Sequence, residues 1–193
     1  PYAPKDAADA RENYRKVLEI LGDVAAEHLA PFAAEVDEEG VRFAEGVVTY
    51  PEAIRNAMRV LQRAELMGFC MPRKYGGLNI PSTIFAVGAE MMCRADGSFL
   101  NFGLQQDIGE TINKFASEEL KERFLPKLAS GQCSSAMVLT EAEAGSDLQA
   151  VMLRAHQAED GQWRLNGVKR FITNGCADVL LVLARSEEGT KGG

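Results

Sequence analysis

The sequence predicts an α+β protein: an all-α N-terminal helical bundle over residues 1–132, followed by a partial antiparallel β-barrel or sandwich domain over residues 133–193. Three observations predict it. Apolar residues recur at spacings of three and four up to Gln132, the mark of helices with one buried stripe. That pattern stops at Gly131. Beyond it, Asp160-Gly161 and Asn166-Gly167 separate short runs of aliphatic and aromatic residues, the signal of hairpins.

Tyr14, Val17, Leu18, Leu21, Val24, Ala25, His28 and Leu29 lay an apolar stripe along a long first helix, with Gly40 as its exit. A loop with Gly46 leads to Pro51, a favoured first helical residue, and Ile54, Ala57, Met58 and Leu61 form the next stripe, closed by Gly68. The segment from Met67 to Leu78 is rich in Gly and Pro but too apolar for a linker. Ser82 offers an N-cap for a helix through Met91 and Met92, methionines read as core filler. Phe99 to Ala116 forms another helix. The last runs from a Ser117 cap through an acidic first turn to Gly131.

The β region reads as a strand Ala136–Thr140, a turn Ala144-Gly145-Ser146-Asp147, then a meander of Leu148–Gln157, Gln162–Asn166, Val168–Thr173 and Val179–Arg185. Type I′ turns are expected at Asp160-Gly161 and Asn166-Gly167. In the first turn Gly145 permits positive φ, and backbone N–H groups with the Ser146 hydroxyl suit an anion such as a pyrophosphate. It is not a nucleotide P-loop, because no Gly-Lys-Ser/Thr follows the glycine. Phe171 and Thr173, two apart on one strand, share a face against which a flat redox ring can lie.

Composition sets outer bounds. In 193 residues, 46% are hydrophobic and 25% charged, as in a globular domain. A net charge of −7 argues against a nucleic-acid surface, which needs clustered Lys and Arg. No apolar run approaches membrane-spanning length and no signal peptide opens the chain. Cys70, Cys93, Cys133 and Cys176 form no Cys-x-x-Cys pair and have only His28 and His156 to join them, so no zinc site is expected. They read as small buried hydrophobes in a reducing, cytoplasmic compartment. A start at Pro1 and a Gly-rich end from Glu188 to Gly193 directly after a strand read as a piece of a larger chain.

Thr140-Glu141, a short spacer and Gly145-Ser146-Asp147, followed after a hairpin by Gly167-Val-Lys-Arg-Phe-Ile-Thr-Asn174, resemble the flavin-binding signature of acyl-CoA dehydrogenases. The Gly, Pro, Tyr-Gly-Gly loop around Met67–Leu78 and the helix Ser117–Gly131 also resemble that family, so the resemblance covers nearly the whole chain. Many members have Trp where Phe171 stands and Pro-Gly where Ala142-Glu143 stands.

The resemblance implies FAD as cofactor. Met137 and Leu139 would offer backbone groups to the flavin ring, and Thr140 would bond its pyrimidine edge. Gly145 and Ser146 would hold the pyrophosphate, with Ser146 also near the acyl-CoA. Phe171, Ile172 and Thr173 would flank the ring, and Phe102, Leu104 and Gln105 would be substrate contacts. It further implies α,β-dehydrogenation of acyl-CoA thioesters in fatty-acid β-oxidation or related acyl-CoA oxidation, an electron-transferring flavoprotein as acceptor, and a homo-oligomer, dimer or tetramer. The catalytic base belongs to a C-terminal domain outside this sequence, so none of Glu141, Glu143 and Asp147 takes that role. Two alternatives stay open: an acyl-CoA oxidase or flavin monooxygenase of the same fold, and a non-catalytic scaffold that keeps the shape without flavin.

Overall fold

The computed structural model describes residues 3–103 and 106–186. Two compact units follow one another along the chain, Pro1–Ser134 and Ser135–Gly193. The first is helical, with one small hairpin. The second carries strands in four of the five segments expected beyond Gly131 and, among the described residues, no closed barrel.

Helix α1, Ala7–Val24, starts where the Asp6 carboxylate accepts the N–H groups of Ala8 at 2.8 Å and Asp9 at 2.9 Å. The long first helix expected from the spacing is not uniform. After Val24 the backbone widens into a π turn, Ala25–Leu29, then tightens to a 3₁₀ turn, Ala30–Phe32, before α2, Ala33–Glu39. Pro31 accounts for this, since it has no N–H to continue the ladder and its ring crowds the preceding turn. The apolar stripe survives the change of pitch: Leu21, Val24, Ala25, Leu29 and Val36 are all buried. Gly40, at φ 61°, ends α2 as expected.

A hairpin absent from the sequence reading follows: β1, Arg42–Ala44, pairs antiparallel with β2, Val47–Thr49. Glu45 and Gly46 both have positive φ, 53° and 79°, which is the two-residue turn that matches strand twist. A glutamate at the first turn position is an unusual choice, which is why the signal was weak.

Helix α3, Glu52–Arg63, buries Ile54, Ala57 and Leu61, and Pro51 stands just before its first residue. Its end comes earlier than Gly68, at Arg63 with Glu65 at φ 57°. Gly68 serves close packing instead, because a Cβ there would lie 2.9 Å from the Ala129 methyl. The Gly/Pro loop folds back on itself: Leu78 N–H donates to Gly68 O at 2.9 Å and Ile80 N–H to Phe69 O at 2.9 Å. With its backbone paired, the loop buries Phe69, Met71 and Tyr75 as a core element.

Helix α4, Ser82–Ala95, begins without a side-chain cap bond; Ser82 is its first residue and Pro81 holds the cap position. It lies tightly against α1 because Gly88 and Gly22 leave room, a Cβ at Gly88 meeting Leu21 Cδ1 at 2.5 Å. Met92 is fully buried in the resulting core with Leu21, Leu29, Ile54, Leu61, Phe69 and Phe99. Each of these large side chains contributes about 1.5–3 kcal/mol on burial. The expected helix Phe99–Ala116 is described as α5, Leu100–Gly103, and α6, Gln106–Phe115. Helix α7, Glu118–Ala129, is capped by Ser117 Oγ, which accepts Leu120 N–H at 3.4 Å, and ends before Gly131 at φ 74°. No helix among the described residues is long and apolar enough to cross a membrane.

In the second unit β3, Ser135–Val138, pairs with β6, Val179–Val182, and β4, Arg154–Gln157, with β5, Trp163–Asn166. The β4–β5 pair is antiparallel, as expected, but β3–β6 is parallel. Each of the four strands is shorter than expected, and the fifth expected strand is absent. Leu148–Ala150 is a 3₁₀ turn, and Val168–Thr173 is not a strand.

The turns differ from the type I′ expectation as well. Between β4 and β5, Gly161 N–H donates to Ala158 O at 2.9 Å and only Gly161, at φ 77°, is left-handed, so the loop is a type I turn with a glycine bulge. At Asn166-Gly167 only Gly167 has positive φ, 146°, and a Cβ there would sit 2.9 Å from Leu153 Cα. Gly167 redirects the chain past Leu153 instead of closing a hairpin. One buried apolar cluster of this unit joins Ala144, Val151 and Leu153, flanked by Val182 and Leu183, and Ala136, Val138 and Val179 of the β3–β6 pair are buried as well.

The Gly77 position tests the folded loop. A Cβ there would meet Met71 O at 2.1 Å and Met71 C at 2.5 Å, both backbone atoms that cannot step aside. Gly77→Ala is expected to lower stability by about 1–3 kcal/mol or more. Gly97→Ala, where a Cβ meets nothing within 4 Å, is expected to stay within about 0.5 kcal/mol of the parent in urea unfolding.

Candidate functional site

The two sequence motifs of the β unit lie side by side. The run Ser135–Glu141 leaves β3 and turns sharply, with Glu141 N–H donating to Ala144 O at 2.8 Å and Ala144 N–H to Glu141 O at 3.3 Å. The run Gly167–Gly175 docks along it through three contacts. Arg170 N–H donates to Thr140 O at 2.9 Å, Lys169 Nζ to Leu139 O at 2.8 Å, and Asn174 Nδ2 to Ser135 O at 3.0 Å.

At the centre is an ion pair that the sequence reading quoted but did not assign. Lys169 Nζ lies 2.9 Å from Glu141 Oε1, and the two side chains are only 6% and 7% exposed. The same carboxylate accepts Met152 N–H at 2.7 Å and Leu153 N–H at 3.0 Å. Burial pushes the Glu141 carboxyl up, but the Lys169 hydrogen bond, the two N–H groups and the Lys169 charge outweigh it, so its pKa lies below the ordinary carboxylate value. Nothing short-range in the sequence signals this pairing, because Glu141 and Lys169 belong to different motifs. Arg185 adds a second brace, donating through Nε to Val151 O at 2.6 Å and through its guanidinium to Gln149 O.

Met137 lies in β3, half-buried, opposite Leu181 of β6. The Leu139 and Thr140 carbonyls are committed to Lys169 and Arg170, and the Thr140 side chain is half-buried. Gly145 and Ser146 are exposed. Gly145 is not left-handed, contrary to the expectation; a Cβ there meets nothing within 4 Å, so neither backbone conformation nor internal packing calls for glycine.

Phe171 and Thr173 do not share a strand face, since no strand forms there. Phe171 sits at φ 56° with its side chain 88% exposed, and Thr173 opens a turn in which Gly175 N–H donates to Ile172 O at 3.1 Å. The reason is the docking itself. Arg170 gives its N–H to Thr140 O, and Lys169 gives its side chain to Leu139 O and Glu141, rather than pairing with β5. Gln105 and Leu104 lie outside the described residues, and Phe102 is placed only by its position in α5.

The cysteines are scattered. Cys70, Cys93 and Cys133 are half-buried and Cys176 is exposed, its Sγ 3.8 Å from Asn174 Oδ1. Burial, then the negative charge of Glu110 beside it, pushes the Cys70 thiol up to about 11, so it is inert near neutral pH.

Comparison with known proteins identifies the family. The acyl-CoA dehydrogenase N-terminal domain family matches residues 11–132 and the acyl-CoA dehydrogenase middle domain family matches residues 136–193. The chain belongs to the acyl-CoA dehydrogenase family. It is 33% identical over 187 residues to the 3-methylmercaptopropionyl-CoA dehydrogenase of Ruegeria pomeroyi, covering 94% of this chain and 32% of that protein. The fold matches butyryl-CoA dehydrogenase from Megasphaera elsdenii with a TM-score of 0.76 at 26% identity, covering 96% of this chain and 46% of the other. An acyl-CoA dehydrogenase from Bacillus anthracis, solved in complex with FAD, matches with a TM-score of 0.73 at 26% identity, covering 96% of this chain and 30% of the other. The chain thus spans less than half the length of each of these proteins.

The buried carboxylate generates a pH prediction. A group with a depressed folded pKa contributes stability that is fully present above its unfolded value of about 4.3 and is lost as pH falls through the lower folded value. Replacing Glu141 by Gln leaves Lys169 buried without its counter-charge, a loss of about 3–5 kcal/mol for a pair of this kind. The gap in thermal midpoint between parent and Glu141→Gln is expected to be wide at pH 7 and to narrow steadily below pH ~4.3. A gap independent of pH over that window would remove the ion pair as its cause.

Proposed function

We propose that this chain supplies the helical domain, residues 1–132, and part of the flavin-holding middle domain, residues 133–193, of an FAD-dependent acyl-CoA dehydrogenase that introduces an α,β double bond into acyl-CoA thioesters. The observation that carries the reading is the docking of the two motifs, which brings Leu139 and Thr140 beside the segment that ends in Phe171, Ile172 and Thr173. The surface left by this docking suits a flat-ringed, anionic dinucleotide. An 88%-exposed Phe171 ring is free to lie against an aromatic system, as the family's Trp would. The open space at Gly145 lets a pyrophosphate approach the backbone closely, with the exposed Ser146 hydroxyl as a donor.

In this reading Met137, Leu139 and Thr140 bind the ring's polar edge, Gly145 and Ser146 the pyrophosphate, and Phe171, Ile172 and Thr173 flank the ring. Ser146, Phe102 and Gln105 are proposed as substrate contacts. When bound, the flavin supplies the hydride acceptor. The chain's own contribution is orientation and exclusion of water. Glu141 is not the base that takes the α-proton, because its carboxylate is buried and already holds Lys169 and two backbone N–H groups. We assign electron delivery to an electron-transferring flavoprotein and a homo-oligomeric state by the same family likeness, in a cytoplasmic or organellar aqueous compartment.

The test uses the natural polypeptide that carries this sequence. It is expected to purify with FAD absorbance and to bleach anaerobically with an acyl-CoA. Gly145→Val should fold normally, since the added side chain enters open space, yet bind FAD at least about tenfold more weakly by equilibrium dialysis. Parental FAD affinity in that variant removes Gly145 from the pyrophosphate site.

A further inference from the structure

We propose that Lys169 and Glu141 are positioning residues of the flavin site, a buried latch that sets the register between its two halves; this rests on the reading given above. The ammonium of Lys169 has three donors, and it places one on Leu139 O at 2.8 Å and one on Glu141 Oε1 at 2.9 Å. Thr140 lies between those two acceptors in the chain, so both its neighbours are held by one side chain. On the other side Lys169 stands two residues before Phe171, with Arg170 N–H on Thr140 O between them. Lys169 Nζ thus grips both neighbours of Thr140, and the Arg170 N–H holds Thr140 itself, so the residues assigned to the ring's polar edge are tied to the segment assigned to its flank.

A buried ion pair is weak evidence for stability as such, because a well-packed apolar pair of similar volume often does as well. Its worth lies in directionality. Hydrophobic contact would let residues 167–175 slide along residues 135–141, whereas Lys169 and Glu141 accept one alignment. Phe171 shows the consequence. A non-glycine residue at φ 56° is held by its surroundings and relaxes when they loosen. Its restraints are Arg170 N–H on Thr140 O before it and Asn174 Nδ2 on Ser135 O after it, both part of the same docking.

The experiment separates register from stability in the natural polypeptide, using Glu141→Gln, Lys169→Met and the double variant. Each is followed by thermal unfolding, by FAD dissociation constant and by amide hydrogen exchange over residues 167–175. Both single variants are expected to lose thermal stability, because one buried charge is left alone. The double variant, with both charges gone, should regain most of the parental midpoint and still bind FAD at least about tenfold more weakly, with faster exchange in residues 167–175. Recovery of FAD affinity together with the midpoint would show that the pair is merely structural and overturn the proposal.

Should the double variant fail to fold, Lys169→Arg gives the same decision. It keeps the charge beside Glu141 but not the Lys169 bond geometry at Leu139 O, and parental FAD affinity with parental exchange there overturns the latch. If the parent itself holds no FAD, the flavin reading falls while exchange still judges the latch: unchanged protection of residues 167–175 in the double variant sinks it, and faster exchange supports it.

Discussion

The β unit is organised around one carboxylate. Glu141 takes the N–H groups of Met152 and Leu153, and so fixes where the chain runs as it enters β4. Val151 and Leu153, two of the three buried residues of that unit's core cluster, are positioned by the same contact. Leu153 O then accepts Arg185 N–H at 2.9 Å, and Arg185 O accepts Ala155 N–H at 2.8 Å, so the end of the β6 segment is aligned to β4 in turn. Directional polar contacts thus add definition to the apolar packing of this unit. They are safe to bury because each is satisfied: the Glu141 oxygens receive three partners and Lys169 places two of its donors.

The helical unit solves the same problem by shape. Leu21, Leu29, Ile54, Leu61, Phe69, Met92 and Phe99 fill one core, and the positions where elements meet most closely are glycines: Gly88 under Leu21, Gly68 against Ala129, Gly109 beneath Met71. Close approach increases dispersion contact and leaves little freedom for alternative packings. Here an added methyl matters greatly. The β unit adds to one such close passage, at Gly167, a buried ion pair whose loss leaves a charge alone.

This contrast explains what was legible in the sequence. Helical periodicity is a local property, so α1, α3, α4 and α7 and their buried stripes were readable, and the apolar composition of residues 67–78 marked a core loop. The exceptions were also local in cause but quieter in signal, as with Pro31 widening the first helix or Glu45-Gly46 making a turn usually given to Asn-Gly. In the β unit the motifs identified the right residues while the strand pattern misjudged their conformation. Val168–Thr173 has strand composition, and Asn166-Gly167 is a hairpin dipeptide by propensity. Tertiary partners overrode both: Leu153 needs Gly167 for close passage, Thr140 O takes the Arg170 N–H that a strand ladder could have used, and the Lys169 side chain is bound to Leu139 O and Glu141.

That override bears directly on the proposed site. Had residues 168–173 paired as a strand, alternate side chains would have been shared between two faces and Phe171 would have packed as an ordinary sheet residue. Instead the docked segment gives the Arg170 N–H and the Lys169 and Asn174 side chains to residues 135–141, and Phe171, in a left-handed turn, is 88% exposed. An aromatic side chain displayed at a conformational cost adds little to the packing of the described residues. The proposed flavin site gives that display a role. The open space at Gly145 makes the same point from the other motif, because a glycine needed neither for φ nor for packing leaves its room to something outside the chain. Two positions, one in each motif, thus leave surface unused by the packing of the described residues, and the buried Lys169–Glu141 pair lies between the motifs that carry them.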